Sequence, residues 1–233
     1  MHRPKNYLLS AISEAEFARL SPDLVTVAVS PRHHFYRQGD RIDYVYFPNG
    51  GVVSITVGMS DGTLIETATV GIEGMVGIEA LMGPDATSPG DVMMQVPDTS
   101  VERLSADALR REIGRGERMS VLFGRYSQAV IALMMQSAAC NALHQVHERC
   151  ARWLLMTHDR VGRDEFELSH DFLASMLAVR RSSVTVVAGS LQAAGVISYR
   201  HARVTILDRD GLEAASCECY AVMRDRYQSL QVV

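Results

Sequence analysis

The chain has little lysine, little cysteine and no long apolar run. Lys5 is the only lysine, so positive charge is carried by arginine. The planar guanidinium fork suits phosphate and guanine, although a GC-rich genome produces the same bias. Four cysteines (Cys140, Cys150, Cys217, Cys219) in 233 residues do not form a disulfide framework. No window of about 20 apolar residues is present to span a membrane. The stretch MHRPKNYLLSAISEAEF turns acidic too early for a signal peptide and lacks its apolar block. The expected location is therefore cytoplasmic.

Charge is unevenly absent. Between Ile42 and Glu102 there is no Lys or Arg but nine Asp or Glu, whereas Phe172–Leu207 has no Asp or Glu but contains Arg180, Arg181, Arg200, His201 and Arg203. The net charge of −4 therefore does not exclude a nucleic-acid partner, because one local segment attracts anions while the acidic half repels them.

What is present falls into three parts. Residues 6–21 read as a helix ended near Pro22. A period-two pattern punctuated by glycine follows, with VVSITV (52–57) and LIETATV (64–70) flanking the turn signal Ser60-Asp61-Gly62. Many short strands with glycine turns predict a β-roll or jelly roll. After a short helix in SADALRREI, a long helix is expected over Glu117–Ala139. Along it Met119, Phe123, Tyr126, Val130, Leu133 and Ser137 recur at spacings of 4, 3, 4, 3 and 4, a coiled-coil seam that predicts a homodimer. Leu122 and Met134 are left to cover the roll. Another helix is expected over Ala142–His158, then a helix pair, a β-hairpin (VISYR…RVTIL) and a last helix from Asp210 towards Leu230. The fold class is α+β, with a sensor roll at 1–115, a dimerisation helix at 116–139 and a third domain at 140–233.

The helix pair is LSHDFLASMLAVRRSSVTVVAGSLQAAGVI. Leu173, Met176 and Leu177 form one apolar face; Val184, Val187, Ala188 and Leu191 form another. The link Ala178-Val179-Arg180 is too short for antiparallel overlap, so the helices cross steeply, as in a helix-turn-helix. The second helix, about Arg180–Ala194, presents Ser182, Thr185, Val186, Gly189 and Ser190 outward, with Arg181 at the edge. Small side chains permit close approach, and cations at a helix N-terminus favour phosphate.

Residues 140–215 resemble the winged helix-turn-helix of the Crp–Fnr superfamily of bacterial transcription regulators. The similarity includes Ala174, Val184, Val187 and Leu191-Gln192-Ala193-Ala194-Gly195-Val196-Ile197. In the first half, Phe35-Tyr36-Arg37-Gln38-Gly39-Asp40 and Tyr46-Phe47-Pro48-Asn49-Gly50-Gly51-Val52-Val53 are similar to that family's roll. The resemblance implies a transcription regulator, not an enzyme, that binds double-stranded DNA at a near-palindromic operator, pairs with itself and contacts RNA polymerase. It implies base reading by Arg181, Ser182, Thr185 and Val186, and phosphate contacts from His170, Arg180, Ser183, Arg200 and Arg203. Ala178 departs from the glycine common at that turn, which puts the turn's backbone in question.

Cyclic-nucleotide-binding relatives carry Gly-Glu-Leu, then an Arg-Ser or Arg-Thr pair. Here the turn is Gly77-Ile78-Glu79-Ala80-Leu81, and Ser88-Pro89-Gly90-Asp91-Val92 holds no base. An unpaired buried phosphate costs several kcal/mol, so ordinary cyclic-nucleotide control is not expected. The pocket positions are Gly77, Glu79, Leu81, Met134 and Met135, and an apolar ligand is the alternative effector. No cofactor is assigned. An N-terminal iron–sulfur cluster is excluded by the lack of early cysteines, and His33-His34 reads as surface rather than a haem ligand. Cys140, His144 and His147 form a helical stripe without an identifiable fourth ligand, so no metal is expected, and Cys217-Glu218-Cys219 is a weak signal. Adjacent His33 and His34 point to opposite strand faces and do not make a cupin-like metal enzyme site. A winged helix that binds protein is the remaining rival.

Overall fold

The computed structural model describes residues 3–96 and 100–230. The helix expected over 6–21 is two: α1 (Tyr7–Ala11) and α2 (Glu14–Leu20). Asn6 caps α1 and, fully buried, donates to the carbonyls of Pro48 and Gly74 at 2.9 and 2.8 Å. Ser13 breaks the run because it forms a capping box with Glu16. The other Glu16 oxygen accepts from the Met119 N–H at 2.7 Å.

The roll consists of two antiparallel sheets. One has the order β1–β7–β3, from β1 (Val25–Val27), β3 (Tyr44–Pro48) and β7 (Val101–Ser105). The other has the order β2–β6–β4–β5, from β2 (His34–Tyr36), β4 (Val52–Gly58), β5 (Leu64–Val70) and β6 (Asp91–Val96). The expected β4–β5 hairpin is present. Phe47, Val45 and Leu104 from one sheet and Val53, Val92 and Met94 from the other share one core.

Then α3 (Ala106–Ile113) leads into α4 (Arg118–Leu143), which runs beyond the expected end at residue 139. His144 and Gln145 are extended, with ψ of 149° and 157°, and Gln145 opens a capping box with Glu148 at α5 (Val146–Val161). The third part holds β8 (Glu165–Glu167), α6 (His170–Leu177), α7 (Arg181–Ala193), β9 (Ile197–Arg200), β10 (Arg203–Ile206), α8 (Arg209–Ala214) and α9 (Cys219–Gln228). Its sheet order is β8–β10–β9. The single last helix expected from Asp210 is thus two helices, broken around Ser216–Glu218. Among the described residues no single helix is long and apolar enough to cross a membrane.

The expected dimer seam is corrected. Met119, Phe123 and Tyr126 are at most 1 % exposed and belong to the protomer's own core, as does Leu122; Leu133 is also buried, and Val130 and Ser137 are partly covered. Phe123 meets Phe47 edge-on at 6.2 Å, and the Tyr126 hydroxyl donates to the Met75 carbonyl and accepts from the Met75 N–H. A buried tyrosine needs such a partner. The face of α4 left open carries Val121, Gly124, Gln128, Ile131, Met135, Ala138 and Ala142, again at alternating spacings of 3 and 4. Both faces satisfy a heptad, and the bulkier one fills the roll.

The two halves touch through specific groups. Val52 and Val96 of the roll join the core of the third part. Arg160 of α5 pairs with Glu73 at 2.8 Å, both nearly fully buried. The Glu66 carboxylate of β5 accepts from Trp153 Nε1 at 2.9 Å and from Ser54 Oγ at 2.7 Å. Burial pushes its pKa up to about 7, against the lowering effect of these hydrogen bonds and of Arg152 and Arg160.

Candidate nucleic-acid interface

Ser169 caps α6 by accepting from the Phe172 N–H at 3.1 Å. Leu173, Met176 and Leu177 are buried, and the helix stops at Ala178, which is left-handed with φ 52° and ψ 49°. An L-residue there costs roughly 1–2 kcal/mol, yet the backbone takes the conformation a glycine would. The expected difference in the turn is therefore not found. The turn sets α7 at 106° to α6, the steep crossing the short link required. Val184, Val187, Ala188 and Leu191 anchor α7 in the core.

The outward face of α7 is open. Arg181, Ser182, Thr185, Val186, Gly189 and Ser190 are exposed, Val186 at 72 %. No side chain caps the α7 N-terminus, so its first N–H groups and the positive dipole end face outward beside Arg180 and Arg181. The Arg181 guanidinium lies 3.4 Å from Asp171 with both side chains about two-thirds exposed. Such a pair is weak and readily exchanged for another anion. Thr185 Oγ1 donates to the Arg181 carbonyl, and its hydroxyl lies 3.2 Å from His170 Nδ1.

One expected phosphate contact, His170, does not fit, and another, Arg203, faces carboxylates. The His170 ring stacks on Tyr199 at 4.4 Å and its Nε2 is buried without a partner. Burial, with the nearby Arg181 charge, lowers its pKa, so a neutral ring that orients Thr185 replaces a cationic phosphate ligand. Arg203 is held by Glu165 at 2.9 Å and Glu167 at 3.4 Å, across the strand pair β10–β8. Both carboxylates precede the acid-free segment in sequence but return beside it in the sheet. Arg180 and Arg200 are exposed and, among the described residues, have no carboxylate partner. Ser183 is half-buried at the α7 N-terminus. The β9–β10 wing turns at His201 and Ala202, both with positive φ (51° and 58°), as a two-residue type I′ turn demands.

In the roll, Gly77 (φ 85°) opens the short 3₁₀ turn Ile78–Met82. Gly77 and Glu79 line a cavity of about 20 Å³ walled also by Met75, Tyr126, Val130, Leu133 and Tyr227. That volume suits a water rather than a nucleotide. Among the described residues no arginine, lysine or histidine lines it, and burial raises the pKa of Glu79. Leu81, Met134 and Met135 are not in the wall; Met135 is 69 % exposed on the outer face of α4, and Leu81 packs against the core. Tyr126 and Tyr227 take the places that sequence reading gave to the methionines. A tyrosine inside an apolar seam, needing a buried partner for its hydroxyl, was the available signal for the first; Tyr227 gave none.

The fold is shared with solved structures of low identity. A Crp-family transcriptional regulator from Thermus thermophilus superposes with TM-score 0.66 at 24% identity, covering 82% of this chain and 96% of that one. The c-di-GMP-responsive global regulator CLP of Xanthomonas campestris gives 0.68 at 18%, covering 83% and 99%. A Crp/Fnr-family chain from Eubacterium rectale gives 0.64 at 17%, covering 90% and 98%. No curated protein sequence matches. Residues 148–215 match the family model of the Crp-like helix-turn-helix domain. That match covers the helix-turn-helix part of the chain, and beyond it the chain shares its fold with the Crp/Fnr-family structures. The matched Crp-like domain begins at the first turn of α5 and closes after α8, so it contains α6, α7 and the wing in full. Helix α9 lies outside the matched domain and packs back on α4 and the roll, where the Tyr227 hydroxyl donates to the Thr69 carbonyl at 3.2 Å.

Proposed function

We propose that this regulator is a cytoplasmic homodimer that reads a near-palindromic operator by laying α7 in the major groove. The observation that carries this reading is the exposed small-residue face of α7, with Arg180 and Arg181 at its uncapped N-terminus and Arg200 in the adjacent wing. Arg181 reads a guanine O6/N7 pair, and Val186 touches a thymine methyl, with Ser182 and Thr185 beside them. Arg180, Arg200 and Ser183 contact phosphate and set register without sequence information. Two copies associate through the open face of α4 centred on Ile131, which spaces the two α7 helices for successive major grooves about 34 Å apart. DNA binding does not await an ordinary cyclic nucleotide, a reading supported by the small, base-free cavity beneath Tyr126. RNA polymerase is the further partner implied by the family.

Selection of genomic fragments on ligand-free protein tests this, with Arg181→Ala as control. Enrichment of a palindrome that the control loses is the expected result. No enrichment by a folded dimer would overturn the claim that binding needs no effector.

A further inference from the structure

Cys140, His144, Cys217 and Cys219 converge where α4 ends and α9 begins, with one ligand atom from each lying within 4.8 Å of the others. The sequence stripe of Cys140, His144 and His147 supplies only two of the group. His147 lies beyond the break, exposed on α5, and the other two come from Cys217-Glu218-Cys219, 77 residues after Cys140. We propose that these four residues form a tetrahedral Cys₃His zinc site tying the end of α4 to the start of α9.

The spacing fits the metal. Zn–S bonds of about 2.3 Å and a Zn–N bond of about 2.0 Å place tetrahedral ligand atoms roughly 3.5–3.8 Å apart. Cys140 Sγ lies 3.6 Å from Cys217 Sγ, and Cys219 Sγ lies 3.6 Å from His144 Nδ1. At 3.6 Å Cys140 and Cys217 are free thiols, not a disulfide, whose bond is about 2.05 Å. The three sulfurs are buried while the His144 side chain is partly exposed, so the site is enclosed by protein yet reachable at one edge.

The surroundings fit as well. His144 Nε2 lies 3.1 Å from the Glu218 carboxylate. A proton on Nε2 leaves Nδ1 as the ligand, the orientation a carboxylate imposes on a metal-bound histidine. Gln136 Nε2 donates to Cys219 Sγ at 3.0 Å. A zinc ion with three thiolates and a neutral imidazole carries a net charge of about −1. Two buried guanidiniums, Arg149 and Arg152, lie nearby without a carboxylate in contact among the described residues, and each leaves Nε unpartnered. Arg152 Nη1 donates only to the sulfurs of Met156 and Met223. Buried cations without a carboxylate in direct contact are costly, and an anionic zinc–thiolate centre offsets them. The site stands whether or not α7 reads DNA.

The test uses the full-length protein purified under reducing conditions without chelator. Elemental analysis is expected to find about one zinc per protomer, falling at least about tenfold in Cys219→Ser and unchanged in Cys150→Ala, a buried cysteine outside the cluster. Cobalt(II) exchanged into the wild type is expected to give the d–d and thiolate charge-transfer bands of a tetrahedral site, which keeps the test decisive if Cys219→Ser does not fold. Folded wild type that holds no zinc and gives no tetrahedral cobalt spectrum overturns the proposal. So does zinc retained in folded Cys219→Ser, or iron or copper occupying the site in place of zinc.

Discussion

Ile131→Glu tests which face of α4 joins two copies. Val121, Ile131 and Met135 are 55 %, 56 % and 69 % exposed, while Phe123 on the opposite face is 1 % exposed. Fully burying one such aliphatic side chain contributes about 1.5–3 kcal/mol, so covering the exposed part of Ile131 contributes about 1 kcal/mol per protomer. Placing a carboxylate there removes that term twice and leaves two like charges without partners near the symmetry axis, at a further cost of about 1–3 kcal/mol. The total is on the order of 4 kcal/mol, or roughly a thousandfold in the dimer dissociation constant. Sedimentation equilibrium across nanomolar to micromolar concentrations reads this directly. The expected variant is a folded monomer with unchanged far-ultraviolet circular dichroism. Phe123→Ala is its counterpart: it opens a hole in the roll core and lowers protomer stability by about 3–5 kcal/mol, without placing a charge on the joining face. An Ile131→Glu protein that remains as tight a dimer as wild type would refute the reasoning.

Further outcomes follow from other positions. Arg181→Ala is expected to remove roughly 1–3 kcal/mol of discrimination at one operator position, while Arg180→Ala weakens binding uniformly and reduces the salt slope by about 1; fluorescence anisotropy over a salt series separates the two. Ala178→Gly relieves the left-handed alanine at the cost of added chain entropy, for a net gain of about 0.5–1 kcal/mol, seen as a melting temperature about 2 °C higher; a loss of stability would contradict the strain assigned to this turn. Glu66 has a folded-state pKa of about 7, above the free value of about 4.3. Its contribution is therefore complete below pH 4.3 and is lost as pH rises through 7. Glu66→Gln removes that loss, so the variant gains stability over wild type on the order of 3 kcal/mol between pH 4.5 and 8; melting curves that stay parallel across this range would contradict the burial.

The helix-turn-helix was legible because each clue to it is local. Its two apolar faces, its link and its uncapped arginine pair lie within one run of residues, and local spacing fixes a crossing. The α4 seam was not legible, since periodicity reports that a face is apolar but not what covers it. The face with Phe123 and Tyr126 has the volume to fill a roll; the face with Gly124, Ala138 and Ala142 has the low profile that lets two helices approach. Side-chain size decides between them, and spacing is blind to size. Likewise His170 and Arg203 look cationic in the chain, and only the fold shows the ring stacked on Tyr199 and the arginine facing the returning strand of Glu165 and Glu167.

The last helix shows how distant parts are made to depend on one another. At one end of α9, Cys219 sits in the cluster with Cys140 and His144. At the other end, Tyr227 walls the roll cavity, its ring 4.8 Å below the Arg160 guanidinium that pairs with Glu73. Leu230, just beyond, is buried in the roll core. A ten-residue helix spans about 15 Å and is stiff over that length. One stiff helix therefore carries both a wall of the cavity, Tyr227, and a member of the cluster, Cys219. The cluster end lies on the α4–α5 break, where His144 closes α4. Helix α9 thus joins the wall of the roll cavity to the α4–α5 break within one protomer.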